Sequence, residues 1–486
     1  MKNNTPPVLI MQDNVTDSVH KPQIDCACSE KVDFYTHNNI ALNDIAPNES
    51  LFSNSAIRFL AIKQGYYVAM SGNSQFSVLN SSAVDLWQQF KQPNGHSVAT
   101  DSVDWQVVKT MLEGRLLLRK NDKISSTTVL NEVSVSAWLH VTDRCNLRCD
   151  YCYLPHEKAD MSWDTAKAAV DSLIRAAQEG GYKQIKLKIA GGEPLLQFEL
   201  VQRVLGYAKA ETKRHQLRLD AVVLSNGTLI DLAKAHILKQ LGARVMISLD
   251  GLDEMHNCQR KYISGKGSFQ QVEHALDILQ TLEIPIDISI TVSSKNAHGL
   301  ADLADYLLKR NLFFAFNFYR ENNLSKNDKA LSLETQTIID GLFSAFNVIE
   351  KYLPNYNLLA SLADRADLSQ PHKKTCSAGN NYLVYTPEGK ISQCQMQLDK
   401  PVASVHTIQP LAAIRSNKSL VNLSVDKKQG CNSCEWKYWC AGGCPLETHR
   451  VTGRYDLQSP NCEIYKAIFP EVVRLEALRM IKELSG

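Results

Sequence analysis

Residues 137–152 read AWLHVTDRCNLRCDYC. Ala137 to Thr142 combine aliphatic, aromatic and β-branched residues, which predicts a strand. Cys145, Cys149 and Cys152 follow it directly in a C-x3-C-x2-C spacing, with no fourth cysteine nearby. A closed tetrahedral metal site needs four ligands. A distant ligand could complete a zinc knuckle. Alternatively, three thiolates could hold three irons of a cubane cluster and leave the fourth iron to a non-protein ligand.

The surroundings set the fold. Strand-like runs recur after the triplet: QIKLKIAG from Gln184, LDAVVLSNG from Leu219, RVMISLDG from Arg244, IDISITV from Ile286 and FFAFNF from Phe313. Amphipathic helical stretches lie between them, such as SWDTAKAAVDSLIRAAQEG from Ser162 and SFQQVEHALDILQTL from Ser268. Strands alternating with helices imply parallel β/α units with helices outside, here a partial (β/α)6 barrel over residues 136–325. Ligands in such α/β folds bind at the carboxyl ends of the strands. The triplet, GGEP, SNG and SLDG all sit just after strands, so they can converge on one mouth.

Bulk properties narrow the class. The 486-residue chain is 44% hydrophobic and 21% charged, with net charge +2. This is ordinary for a globular protein and argues against a nucleic-acid surface held by charge. No run approaches the roughly 18 apolar residues of a membrane span, and the N-terminus lacks a signal-peptide pattern. A cytoplasmic protein without a membrane partner is expected. Thirteen cysteines in a reducing compartment then point to metal or redox chemistry rather than disulfides. Seven of them lie between Cys376 and Cys462: Cys376, Cys394, Cys431, Cys434, Cys440, Cys444 and Cys462. Turn residues dominate this region, so residues 371–486 should form a cluster-stapled domain with a small apolar core of its own. A double zinc ribbon is the alternative. Residues 326–370 read as a helical linker.

The N-terminal part divides in two. Residues 1–55 are polar and lack periodicity, a mostly flexible segment with a short strand near Phe34–Tyr35. Cys26 and Cys28 form no expected metal site there. Residues 56–125 read as short strands followed by helices, one opened by a cap-like Ser in SSAVDLWQQF and one ended by Gly114.

The Cys145/Cys149/Cys152 motif with Tyr151 resembles the signature of radical S-adenosylmethionine (SAM) enzymes. AGGEP at 190–194 resembles that family's motif after the second strand, and Cys376 to Cys462 is similar to a SPASM domain. The resemblance implies a SAM-binding 4Fe–4S cluster on Cys145, Cys149 and Cys152 and two auxiliary 4Fe–4S clusters. Cys376, Cys394 and Cys444 would hold the first auxiliary cluster. Cys431, Cys434, Cys440 and Cys462 would hold the second. It further implies that Gly191, Gly192 and Glu193 receive the methionine amino group. Ser225 and Asn226 would lie near the ribose, and Ser248 with Arg260 would hold the carboxylate, which suits an arginine fork. Sulfatase-maturing relatives place a catalytic Asp directly after the equivalent of Cys394; here Gln395 stands there, and an amide cannot act as that base. Turn hydrogen bonds for Ser225 and Ser248, and a surface ion pair for Arg260, are the plain alternatives. Cys258 is a catalytic candidate, a packed thiol being the simpler reading, and His256 reads as structural.

Residues 56–125 resemble more loosely the winged-helix-like peptide-recognition module of ribosomal peptide maturation systems, an oligomerisation or capping module being the alternative. Such a module captures a precursor's leader as an added strand. The expected function is therefore a radical SAM/SPASM maturase. It would use a 5′-deoxyadenosyl radical to install a crosslink or backbone modification in a ribosomally made peptide, reduced by a flavodoxin or ferredoxin. Splicease-type excision or epimerisation are variants of that reading, and a non-catalytic zinc-stabilised peptide-binding scaffold is the alternative from another class.

Overall fold

The computed structural model describes residues 7–11, 49–72, 74–99, 102, 104–120, 122, 134–325, 328–364 and 366–485. Cys26, Cys28 and the strand expected near Phe34 lie outside them.

The N-terminal module is built on β1 (Leu9–Met11), β2 (Leu51–Ser53), β3 (Arg58–Ala61), β4 (Tyr66–Met70) and β5 (Ser77–Asn80), then α1 (Ser81–Gln89), α2 (Trp105–Glu113) and β6 (Leu117–Arg119). The order β1-β5-β4-β3 makes an antiparallel sheet, and β2 pairs with β6. Two strands thus fall in the segment expected to be a loose leader. They are only three residues long, too short for a period-two pattern to show. Asn80, not a serine, caps α1: its Oδ1 accepts from Ala83 N–H at 2.9 Å. Trp87, Phe90, Met111 and Leu116 pack with Leu79 as a core of the module's own.

The middle of the chain supplies β7 (Ser134–His140), β8 (Leu147–Cys149), α3 (Trp163–Glu179), β9 (Gln184–Ala190), α4 (Phe198–Arg214), β10 (Arg218–Ser225), α5 (Leu232–Leu241), β11 (Arg244–Ser248), α6 (Asp253–Asn257), β12 (Arg260–Tyr262), α7 (Phe269–Thr281), β13 (Ile286–Val292), α8 (Leu300–Lys309) and β14 (Phe313–Phe318). All six expected strands are present, and β7, β9, β10, β11, β13 and β14 run parallel in that spatial order. Alternation does the sorting. On β7, Val135, Ala137 and Leu139 join Ala166, Val170 and Leu173 of α3 in the main core, while Trp138 faces a cavity on the other side. Arg244 spans to Asp220 at 3.1 Å and to Asp287, an ionic tie across three strands.

The remainder gives α9 (Thr335–Tyr352), β15 (Tyr382–Tyr385), β16 (Lys390–Ser392), β17 (Ala403–Ser404), α10 (Pro410–Ser416), α11 (Lys437–Cys440), α12 (Pro445–Thr452) and α13 (Cys462–Ser485). The separate core expected here is only partly separate. β15 pairs parallel with β7, Tyr382 opposite Ser136 and Tyr385 opposite Leu139, so the sheet continues through β15, β16 and β17. Ile468, Val472 and Met480 of α13 join the core of the parallel sheet. A small cluster of Ala378, Leu420 and Leu446 stays local to the cysteine region. The β15 segment YLVY is too short to announce from sequence which sheet it joins. Among the described residues no helix is long and apolar enough to cross a membrane.

Candidate active site

The cysteine loop leaves β7 and returns as β8, which pairs antiparallel with β12 so that Arg260 lies opposite Cys149. This ladder fixes Arg260 beside the thiols; the twelve-residue separation from Ser248 did not reveal it. Arg260 Nη1 donates to Cys149 Sγ at 3.8 Å, and Asn226 Nδ2 donates to Cys145 Sγ at the same distance. Burial pushes the Cys145 thiol up to about 11 and that of Cys149 up to about 12, and Cys152 shifts the same way. Neutral in isolation, the three need a cationic centre to become thiolates.

The GGEP turn is fastened to this loop by backbone. Gly192 N–H donates to Thr142 O at 2.7 Å and Glu193 N–H to Arg144 O at 2.8 Å. A Cβ at Gly191 would stand 2.5 Å from Thr142 O, and one at Gly192 2.3 Å from Arg144 O. Glycine is therefore required by the approach of the cysteine loop itself. Fully buried Glu193 accepts from Leu195 N–H (3.0 Å), Ser225 Oγ (2.9 Å) and Asn226 N–H (2.7 Å). These bonds tie the ends of β9 and β10 together. Burial outweighs them and lifts its carboxyl to about 7.

Asp250, which the sequence reading passed over inside SLDG, organises the opposite wall. Its carboxylate accepts from Arg260 Nε at 2.7 Å, from Tyr151 Oη at 2.6 Å and from Thr291 N–H at 2.8 Å. The Arg260 guanidinium lies 5.2 Å from the centre of the Tyr151 ring. His256 is structural: its ring bonds Ser268 Oγ at 3.0 Å and accepts from Asp250 N–H at 3.3 Å. Cys258 donates to Met255 O at 3.3 Å and is not among the residues that line the cavity described next.

One cavity of about 310 Å³ gathers the rest. Cys145, Cys149, Cys152, Tyr151, Gly191, Gly192, Ser225, Asn226, Ser248 and Arg260 all line it, whereas Glu193 stands behind the wall. Trp138, Ser289 and Asn317 also line it and were not among the sequence-based candidates; their alternation along β7, β13 and β14 was the available signal. Gln395 and Met396 reach the cavity from the C-terminal region, and Gln395 Oε1 accepts from Tyr382 Oη at 3.0 Å. A second hollow adjoins it, sharing Tyr153, Leu154, Gln395 and Met396 and lined further by Asn322, Asn323 and Gln397.

Comparison with known proteins decides the family. The Radical SAM superfamily profile matches residues 139–307. An uncharacterised protein of Methanocaldococcus jannaschii is 30% identical over 303 residues, covering 61% of this chain and 94% of its own length. The chain belongs to the radical SAM superfamily. A cysteine-type anaerobic sulfatase-maturating enzyme of Clostridium perfringens is 24% identical over 354 residues, 68% of this chain and 95% of that protein. The solved structure of native anSMEcpe with bound AdoMet and a Cp18Cys peptide shares the fold, with TM-score 0.60 and 21% identity over 71% of this chain and 99% of that one. This radical SAM chain is thus an enzyme that uses SAM and an iron–sulfur cluster, and the non-catalytic zinc scaffold is set aside. The donor set fits such a cluster: three thiols share a cavity rim, and two receive N–H groups at sulfur.

Elsewhere in the radical SAM chain, the seven C-terminal cysteines gather in two places. Cys431, Cys434, Cys440 and Cys462 line one small cavity with Trp436, Tyr465 and Phe469. Cys376, Cys394, Cys444 and Met396 pack around Ala378, Leu420 and Leu446. Lys428 lies between the two sets: its buried Nζ donates to Ala441 O at 3.1 Å and its charge acts on Cys431, Cys440, Cys376 and Cys444. An aromatic file connects the mouth to the four-thiol cavity. Phe318 stacks on Tyr465 and Tyr465 on Phe469, each pair 5.6 Å apart, and Trp436 lies 5.3 Å beyond.

Proposed function

We propose that the chain is a radical SAM peptide maturase that modifies a ribosomally made precursor, by crosslink or backbone change. The observation that carries this reading is the single cavity where the thiol triad, the GG edge, Ser248 and Arg260 meet Gln395 and Met396. Its neighbouring hollow is lined by the amides of Asn322, Asn323, Gln395 and Gln397 and by charged side chains such as Glu388, Asp399 and Arg450, a polar surface that suits a peptide backbone. In this reading Cys145, Cys149 and Cys152 hold the SAM-binding cluster. SAM lies against Gly191, Gly192, Ser248 and Arg260, with Asn226 and Tyr151 beside it. Asp250 orients Arg260 and Tyr151, and Glu193 with Ser225 holds the strand ends in register. When bound, SAM and the reduced cluster supply hydrogen-atom abstraction from an unactivated carbon. The residues around them fix the target and exclude water.

Cys376, Cys394 and Cys444, and separately Cys431, Cys434, Cys440 and Cys462, would hold two auxiliary clusters in a SPASM region over 371–486. A flavodoxin or ferredoxin would serve as reductant. The N-terminal module would receive the precursor's leader. Gln395 on the cavity wall favours a target other than a sulfatase, since its amide cannot take the proton a carboxylate would. The test is anaerobic turnover with SAM, dithionite and candidate precursor peptides, drawn from any small reading frames that flank the gene. Deoxyadenosine formation coupled to a change in peptide mass is expected. SAM cleavage that leaves candidate precursors unaltered would reject peptide maturation.

A further inference from the structure

The module's sheet is a meander with one foreign strand. β3, β4 and β5 follow each other in sequence and pair antiparallel in turn. The remaining member, β1, pairs with β5 through Leu9–Leu79, Ile10–Val78 and Met11–Ser77. Val8 N–H donates to Asn80 Oδ1 at 3.0 Å across 72 positions of sequence, and Asn80 N–H returns to Val8 O at 3.1 Å. Asn80 thereby holds both the incoming strand and, through Ala83, the start of α1.

What β1 contributes is what an external strand would contribute. It offers main-chain bonds along one edge and aliphatic side chains that alternate between two faces. Ile10 is 3% exposed in the core that includes Val68, Met70, Phe76 and Val78. Leu9 packs the other way, against the cluster of Leu79, Trp87 and Met111. Val8, Leu9, Ile10 and Met11 carry no charge, and Pro7 before them has no N–H to give a ladder. The holding is short, three residue pairs.

We propose that the edge of β5 is a strand-acceptor site for an extended, uncharged aliphatic peptide segment, and that Val8–Met11 is its resident occupant. The leader segment of the substrate then binds by displacing Val8–Met11. This rests on the module being a peptide-recognition element. It adds the edge, the ligand pattern and the competing strand within the same chain.

A fluorescein-labelled synthetic peptide of residues Thr5–Asn14 is the probe, used with the full-length chain. Substituting Leu9→Asp and Ile10→Asp together opens the edge. The labelled peptide should bind this variant about tenfold or more tighter than it binds the unaltered chain, because a tethered strand competes at high effective concentration. Hydrogen exchange should show Ser77–Asn80 exposed in the variant and protected again on adding peptide. Equal affinity for both chains, or protection appearing on Arg58–Ala61 instead, would overturn the assignment. Should the variant fail to fold, millimolar peptide added to the unaltered chain must raise exchange at Leu9–Met11; unchanged exchange there overturns it too. Peptide-coupled SAM turnover is measured separately, so the maturase reading stands or falls apart from this edge.

Discussion

The thiol triad at the mouth and the four-thiol set near α13 offer the same donor chemistry in opposite settings. Cys145, Cys149 and Cys152 border a cavity of about 310 Å³ and are held by polar ties: an Arg–Asp pair, N–H groups at sulfur and a buried carboxyl. Cys431, Cys434, Cys440 and Cys462 border a small hollow walled by Trp436, Tyr465 and Phe469, with Lys437 and Lys466 at its border, a setting made mainly by packing. A polar frame keeps a position open and aimed. An apolar frame closes a site and insulates it. Thiol count and surroundings together, more than cysteine spacing alone, set the two places apart.

That contrast can be broken by substitution. Cys145, Cys149 and Cys152 replaced together by Ala should abolish deoxyadenosine formation while iron remains on the C-terminal thiols. Cys431→Ala with Cys440→Ala should instead lower the denaturation midpoint and iron content first. Iron analysis, visible absorbance and a deoxyadenosine assay on the two variants read this directly; retained SAM cleavage in the triple variant would erase the distinction. Next in size is Asp250→Ala. It strips the buried partner from Arg260 and should cost about 3–5 kcal/mol in denaturant unfolding, since an unpaired buried charge remains. Phe469→Leu, at the apolar site, should cost about 1–2 kcal/mol by removing stacking without uncovering a charge.

Acid should sharpen the contrast from the mouth side. Burial, helped by the nearby Arg260 charge and opposed by Asp250, lowers His256 from 6.5 to about 3. The unfolded imidazole takes a proton at a pH where the folded one does not. Stability present above pH 6.5 is therefore lost as pH falls toward 3, by about 1.4 kcal/mol per unit at most from this residue. His256→Gln should flatten that part of the curve between pH 6.5 and 5.5, measured as denaturant midpoints. An unchanged slope would remove His256 from the account.

Much of this was legible in sequence because it is local. Each strand of the parallel set carries its own apolar run, and each motif follows one. Pairing between distant segments was not legible. Nothing in RKY at 260–262 says that it will pair with LRC at 147–149, and that pairing is what sets Arg260 against Cys149. VLIM at 8–11 is too short to declare itself a strand, and YLVY at 382–385 does not say which sheet it extends. Glu193 illustrates another limit. Its motif was visible, but its orientation toward Ser225 and Asn226, behind the cavity wall, depends on how two strand ends meet.

The parallel pairing of β15 with β7 has a mechanical consequence. Swinging the cysteine-rich region away from the mouth would require shearing four consecutive residue pairs in the middle of one continuous sheet. The two thiol-bearing regions are thus leaves of one board, with no hinge at that seam. Movement at this seam would break main-chain hydrogen bonds, so opening of the mouth falls to segments outside this ladder.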